Sequence, residues 1–305
     1  MNETSIPGYP EFVPLSLEHK SILHPRLSLT ADGVSEFTFS GLYLFRDRYR
    51  YRVSRSGQTG GFILSGRQPQ ADPGDYKRFF MTPCEVPARD VLESLFAGHD
   101  YWKNISDTVL ASSRQQLEDW GVAVSEDRDN FDYLYSRDEL AELKGKKFHK
   151  KKNLVNQFLH TYNSHEERPL TRELVPLAME ILERWRQEKG ADGDYLAARE
   201  ALELFDSLAL RGYMFFVEGK PAGYCLGESI AKGRMFAIHF EKAVDEYKGL
   251  NQFMTQSFAA SLPRFFTYIN REQDLGDEGL RQAKMTYRPS GFVKKYSALL
   301  RGETP

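Results

Sequence analysis

The segment Tyr268–Pro289 reads YINREQDLGDEGLRQAKMTYRP and holds the densest run of reactive side chains in the chain. Asn270, Arg271, Glu272 and Asp274 directly follow an apolar, strand-like run, and strand ends are where loops commonly carry functional groups. Gly276 allows a tight turn into a helix that gathers Leu280, Ala283, Lys284 and Tyr287 at helical spacing. A lysine and a tyrosine facing such a loop suit two tasks, holding a carboxylate or phosphate and protonating a leaving group. Asp274 and Tyr287 are the candidate catalytic groups here, and Asn270, Arg271 and Lys284 the candidate substrate-binding ones. The bland alternative has Asp274 or Asp277 capping the short helix while Arg271 pairs with Glu272 or Asp274. For Asp277, capping is the preferred reading.

A second candidate lies upstream in RMFAIHFEK, Arg234 to Lys242. A strand period of two puts Ala237, His239 and Glu241 on one face of an otherwise apolar strand. Acyl transfer to an amine needs a group that takes the amine's proton, and His239 or Glu241 fits that task, with Glu228 on the preceding strand as a third choice. A histidine packed beside a partly exposed glutamate is the competing reading.

The third feature is LKGKKFHKKKNLVNQFLHTY, Leu143 to Tyr162. At about 100° per residue, Phe148 and Lys151 share a stripe with Val155, Phe158, Leu159 and Tyr162, whereas Lys150 and Asn153 point away. A solvated face accounts for Lys146, Lys147 and Lys150. It accounts poorly for Lys151 and Lys152, since lysine is seldom left unpaired on a buried stripe. These two are expected to border a cleft between domains and to meet an anionic substrate or an RNA backbone. No interleaved aromatic pattern accompanies them, so base recognition and DNA binding are not expected.

The elements that must position these groups follow from periodicity. Strands are predicted across Glu36–Ser54, Gly60–Gly66, Lys77–Pro83 and Phe131–Ser136, with helices after Pro87 and over Asp107–Trp120. Ser136 and Glu139 have capping-box form, and Gly145 suits the close of that helix. The basic helix then spans about Lys146–Tyr162, and Asn163–Pro169 reads as a linker. Two helices, Thr171–Lys189 and Tyr195–Leu210, precede three strands, Tyr213–Glu218, Ala222–Ile230 and Arg234–Lys242. A helix from Gly249 to Leu262, a strand at Arg264–Asn270, a short helix at Asp277–Lys284 and a last strand at Gly291–Leu300 follow.

With 305 residues, two domains of roughly 150 residues are expected. The net charge of −2 excludes a globally driven polyanion binder, so any such role must be local. Cys84 and Cys225 are far apart and have no metal-ligand neighbour pattern, so neither a disulfide framework nor a zinc site is indicated, which fits a reducing cytoplasm. Neither a signal peptide nor a stretch long enough to span a membrane is read, so no integral membrane association is expected.

GKKFHKKKNLVNQF together with YINREQDLGDEGLRQAKMTYRP resembles an uncharacterised bacterial family grouped with the C-terminal domain of the phosphatidylglycerol lysyltransferases. That family is similar to the FemABX-type aminoacyl transferases. The resemblance runs from Pro14 to the final strand and implies an α/β (α+β) fold of two tandem GNAT-like domains, each a mixed sheet flanked by helices. The domains are expected at residues 1–145 and 169–305, joined by the basic helix and linker at 146–168, with the working site in the second. In GNAT-type enzymes the donor's phosphates sit over the helix after the fourth strand, in a Q/R-x-x-G-x-G/A loop. Aligned on Gly249, this chain has Glu246 at the basic position and Asn251 at the small one, with Lys248 and Gly249 left to hold a cofactor. The departure tilts the donor from acyl-coenzyme A towards aminoacyl-tRNA. The expectation is therefore an acyl or aminoacyl transferase acting on an amine or hydroxyl. The alternative is a noncatalytic binder of RNA or anionic metabolites, and peripheral lipid contact stays open.

Overall fold

The computed structural model describes residues 5–57, 61–83, 85–190 and 193–300. Cys84 and Gly60, which figured above, lie outside the described residues. Among the described residues, fourteen strands form two seven-stranded sheets. The first is built from β1 (Val13–Pro14), β2 (Arg52–Ser56), β3 (Gly61–Pro69), β4 (Tyr76–Met81), β5 (Tyr101–Ser106) and β6 (Val122–Glu126). The second takes β7 (Asp132–Ser136), β8 (His165–Pro169), β9 (Arg211–Val217), β10 (Lys220–Ile230), β11 (Met235–Ala243), β12 (Tyr268–Asn270) and β13 (Gly291–Val293). The chain then returns to the first sheet as β14 (Lys295–Leu300), in the order β1-β2-β3-β4-β5-β14-β6.

The chain divides into two compact units. One unit holds Met1–Asp132, Gln273–Gly276 and Val293–Pro305, and the other holds Tyr133–Glu272 and Asp277–Phe292. The expected cut at residues 145 and 169 therefore does not describe the folded units. The predicted strand Gly291–Leu300 breaks at Lys294, and its two halves pair in different sheets.

In the first unit, β4 and β5 run parallel through Phe79↔Tyr101 and Phe80↔Trp102. The helix Arg89–Gly98 buries Leu92, Leu95 and Phe96 in a core with Phe80 and Trp102, which stack at 5.7 Å. Most of Glu36–Ser54 is helix, not the predicted strand, with Phe39–Leu44 and Arg46–Tyr49 helical. The Thr38 hydroxyl caps the first of these by accepting from Gly41 N, and Phe39 stacks on Tyr43 one turn later at 5.8 Å. The aromatic run that suggested β alternation is an i,i+4 ladder.

Lys295, fully buried, donates to Asp132 Oδ1 at 2.6 Å and to Glu36 Oε2. Asp132 also accepts from Ser35 N and Oγ at 2.8 and 2.9 Å. Burial opposes charge on Lys295, but the two carboxylates outweigh it and hold the ammonium above its ordinary range. Each ion in this first-unit cluster is therefore paired, as burial demands.

The second sheet has the order β13-β7-β12-β11-β10-β9-β8. Residues 163–169, read as a linker, supply its edge strand β8, paired with β9 from His165↔Val217 to Pro169↔Tyr213. β10 and β11 are antiparallel with a register shift at Leu226/Gly227. A side chain at Gly227 would place Cβ 1.8 Å from the Ala237 carbonyl oxygen, so the bulge requires glycine. Helix Arg137–Glu142 is capped by Ser136 as predicted, but Leu143, at φ 46°, takes the left-handed closing position assigned to Gly145. The Glu139 carboxylate binds Lys147 Nζ at 2.5 Å. No helix among the described residues is long and apolar enough to cross a membrane.

Candidate active site in the second unit

The site begins where two parallel strands part. β11 and β12 pair only at Met235↔Tyr268, Phe236↔Ile269 and Ala237↔Asn270, after which β12 stops and β11 continues to Ala243. His239 and Glu241 therefore stand on a strand edge that β12 has left, opposite the loop that begins at Arg271. Crevices beyond the carboxyl ends of parallel strands are the usual ligand position in such sheets.

His239 is almost fully buried, its side chain 2% exposed. Its Nδ1 lies 2.7 Å from Glu272 Oε1 and its Nε2 3.0 Å from Glu228 Oε1. With a carboxylate at each ring nitrogen, the doubly protonated ring is the form that donates to both. Burial works against that charge, yet the hydrogen bonds and charges of Glu228 and Glu272 prevail and push the pKa up to about 10. With both ring nitrogens engaged by carboxylates, His239 presents no open nitrogen to an acceptor's proton. Glu241 accepts from Arg271 Nη2 at 2.9 Å.

Arg271, in turn, lies 5.3 Å from the centre of the Tyr287 ring and hydrogen-bonds its hydroxyl. Thr255 and Gln252 from helix Leu250–Ser261 also reach that hydroxyl. Burial raises the Tyr287 phenol above its usual range, although Arg271 opposes the shift, so Tyr287 keeps its proton and can donate it. Lys151 comes from the basic helix, whose regular part is His149–Thr161, and its Nζ sits 4.0 Å from the centre of the same ring. Half-buried Lys151 has no carboxylate partner among the described residues, and burial followed by the Arg271 charge lowers its pKa. One tyrosine thus carries two cations, of which only Arg271 is neutralised.

The remaining candidates divide. Lys284 donates to the Arg271 and Glu272 carbonyls at 2.5 and 3.1 Å, so it fastens the loop backbone instead of facing a ligand. Asn270, fully buried, accepts from Glu272 N at 2.7 Å and shapes the same loop. Asp274 belongs to the first unit, where it pairs with Arg128 at 3.3 Å and accepts from Gly276 N at 3.0 Å. Asp277 caps helix Glu278–Met285 through Leu280 N at 2.7 Å, as the bland reading held. Lys152 is exposed and lines a pocket of about 550 Å³ with Leu143, Lys144, Gly145, Lys146 and His149.

Lys248 is exposed, and Gly249 answers to packing: at φ +91°, its Cβ would fall 2.6 Å from the Leu154 carbonyl oxygen. Glu246 beside it pairs with Arg184 at 3.0 Å. Glu272 had no role assigned from sequence, and Glu228 was only a third choice. The signal was in the β10–β11 hairpin, whose register sets Glu228 opposite Ala237 and hence one same-face step from His239.

Comparison with known proteins fits this architecture. A family model described as phosphatidylglycerol lysyltransferase, C-terminal, matches residues 27–299. The chain belongs to that family. A conserved protein of unknown function from Bacteroides thetaiotaomicron superposes with a TM-score of 0.82 at 28% identity, covering 95% of this chain and 99% of that one. The C-terminal domain of a putative lysylphosphatidylglycerol synthetase from Agrobacterium fabrum gives 0.61 at 14% identity over 94% and 93%. FemX gives 0.56 at 10% identity over 95% and 97%. The chain is built of two GNAT-like units in tandem, each a mixed sheet flanked by helices. An uncharacterized protein of Mycoplasmoides gallisepticum is 22% identical over 169 residues, so the match spans about half of that relative, 54% of its length.

Proposed function

We propose that this member of the phosphatidylglycerol lysyltransferase C-terminal family is an aminoacyl transferase whose site is the Lys151–Tyr287–Arg271 cluster. The observation that carries the proposal is Lys151, an unneutralised, half-buried ammonium stacked on Tyr287 beside the parting of β11 and β12. An unpaired cation in such surroundings is costly unless a ligand's oxyanion completes it. In the transfer, the acceptor amine or hydroxyl attacks the ester carbonyl carbon and the ester C–O bond breaks. The acceptor's proton ends on the departing oxygen. Lys151 meets the negative charge that builds on the carbonyl oxygen, and the Tyr287 phenol relays the proton, giving its own to the oxygen that leaves and taking the acceptor's in return.

The donor favoured is aminoacyl-tRNA over acyl-coenzyme A. The loop before helix Leu250–Ser261 offers a pyrophosphate little, because Gly249 is packed against Leu154 and Glu246 faces outward beside Arg184. The exposed lysines around Lys152 suit an RNA backbone, and a cytoplasmic location follows from such a donor. The test measures melting temperature and acyl transfer with acetyl-coenzyme A, with bulk charged tRNA and with uncharged tRNA, at two salt concentrations. Stabilisation by charged tRNA beyond uncharged tRNA, accompanied by transfer, is the expected result. Stabilisation by the coenzyme alone refutes the choice of donor, and salt-sensitive binding without turnover refutes the enzyme.

A further inference from the structure

We propose that Glu272, held by the His239 imidazolium, is the residue that recognises an ammonium group on the ligand of this site. The inference deepens the transfer proposal and rests on it for where the ligand lies. Glu272 adopts φ +56°, a left-handed conformation costly for a residue with a side chain. Three bonds enforce it: its N–H donates to Asn270 Oδ1 at 2.7 Å, and its carbonyl accepts from Tyr133 N and Lys284 Nζ, both at 3.1 Å. Backbone strain fixed from several sides persists where it places a side chain that matters.

That side chain is fixed too. Oε1 accepts from His239 Nδ1, while Oε2 has no partner among the described residues and the side chain is 23% exposed. The imidazolium sits between two carboxylates in the Glu228–His239–Glu272 group. Its most exposed member is Glu272, since Glu228 and His239 are 7% and 2% exposed. From the adjacent residue Arg271 the chain reaches Tyr287 and, across its ring, the unneutralised Lys151. The site therefore offers an open carboxylate oxygen and an open ammonium from one loop and its neighbours. A ligand that carries an ammonium close to an ester or phosphate oxygen satisfies both, as an aminoacyl nucleotide does. A plain acyl thioester satisfies only one. His239 is a positioning residue, which orients the carboxylate and keeps Oε1 occupied so that Oε2 faces the ligand.

The test titrates the full chain with 3′-alanylamino-3′-deoxyadenosine and with its N-acetyl derivative, which differ in the ammonium alone. Wild type should prefer the free amine by about 10- to 100-fold, the scale of a charge-assisted hydrogen bond. Glu272→Gln should bring the two affinities within about threefold. His239→Gln should also shrink their ratio, an effect that a merely structural role would not produce, and it carries the test should Glu272→Gln fail to fold. Equal binding by wild type overturns the assignment, as does a preference that survives Glu272→Gln. If neither nucleoside binds, alaninamide decides. Binding of alaninamide that Glu272→Gln abolishes keeps the ammonium site and refutes the transfer proposal, whereas its failure to bind refutes the ammonium site.

Discussion

Deleting the imidazolium should remove a pH-dependent part of the stability. In the folded chain His239 is held at about 10, against 6.5 for an unperturbed histidine. At about 1.4 kcal/mol for each tenfold, this gap corresponds to roughly 5 kcal/mol as an upper bound. The folded state has the raised value, so the contribution is complete below pH 6.5, falls as pH rises and is gone above pH 10. Between pH 7 and pH 9 wild type should therefore lose about 2–3 kcal/mol relative to His239→Gln. Urea titrations of both proteins at half-unit intervals measure the difference, in which the lysines and tyrosines common to both cancel. Nitrogen-15 spectra of the imidazole should show both ring nitrogens protonated at pH 8. A stability difference that stays flat from pH 7 to pH 9, or a ring that is neutral at pH 8, would refute the argument.

Three further outcomes follow from the same structure. Lys151→Ala should lower the transfer rate by about 100-fold, the scale of one lost charge-stabilising donor, with little change in melting temperature. Equal rates would separate Lys151 from the reaction. Gly249→Ala combines a φ of +91° with a 2.6 Å approach to Leu154 and should cost more than about 2 kcal/mol in urea titration. Lys295→Met should destabilise by about 3–5 kcal/mol, because Glu36 and Asp132 would stay buried without their cation. Adding Asp132→Asn to that variant should recover part of the loss, and a further equal fall would show that the ion pair is not the cause.

Periodicity conveyed the second unit better than the first. The three meander strands and the helix after β11 are strongly patterned, and their spans fall close to the predicted ones. The tandem GNAT-like class was legible from the motif strings. What misled were segments where tertiary partners override local pattern. Phe39 and Tyr43 look like strand residues until they stack along a helix, and His165–Pro169 is polar because an edge strand leaves one side to solvent. The site was legible in its parts and not in its pairings. The stripe argument found Lys151, and strand alternation placed His239 and Glu241 on one face. No spacing rule reveals that two glutamates 44 residues apart, Glu228 and Glu272, close on one imidazole. That contact decides whether His239 takes protons or only holds them.

β14 has a consequence for how the protein is made. It lies between β5 and β6, so the first sheet has a gap before its edge strand β6 until residues 295–300 arrive. During synthesis every residue of the second unit leaves the ribosome before that gap can be filled. At about 5–20 residues per second, the exposed flanks of β5 and β6 wait on the order of ten seconds or more for their partner. A nascent chain in that state offers two open strand edges to any neighbour. Expression trials that cut this chain at its apparent midpoint should yield two insoluble fragments, and chaperone demand should fall on the N-terminal half.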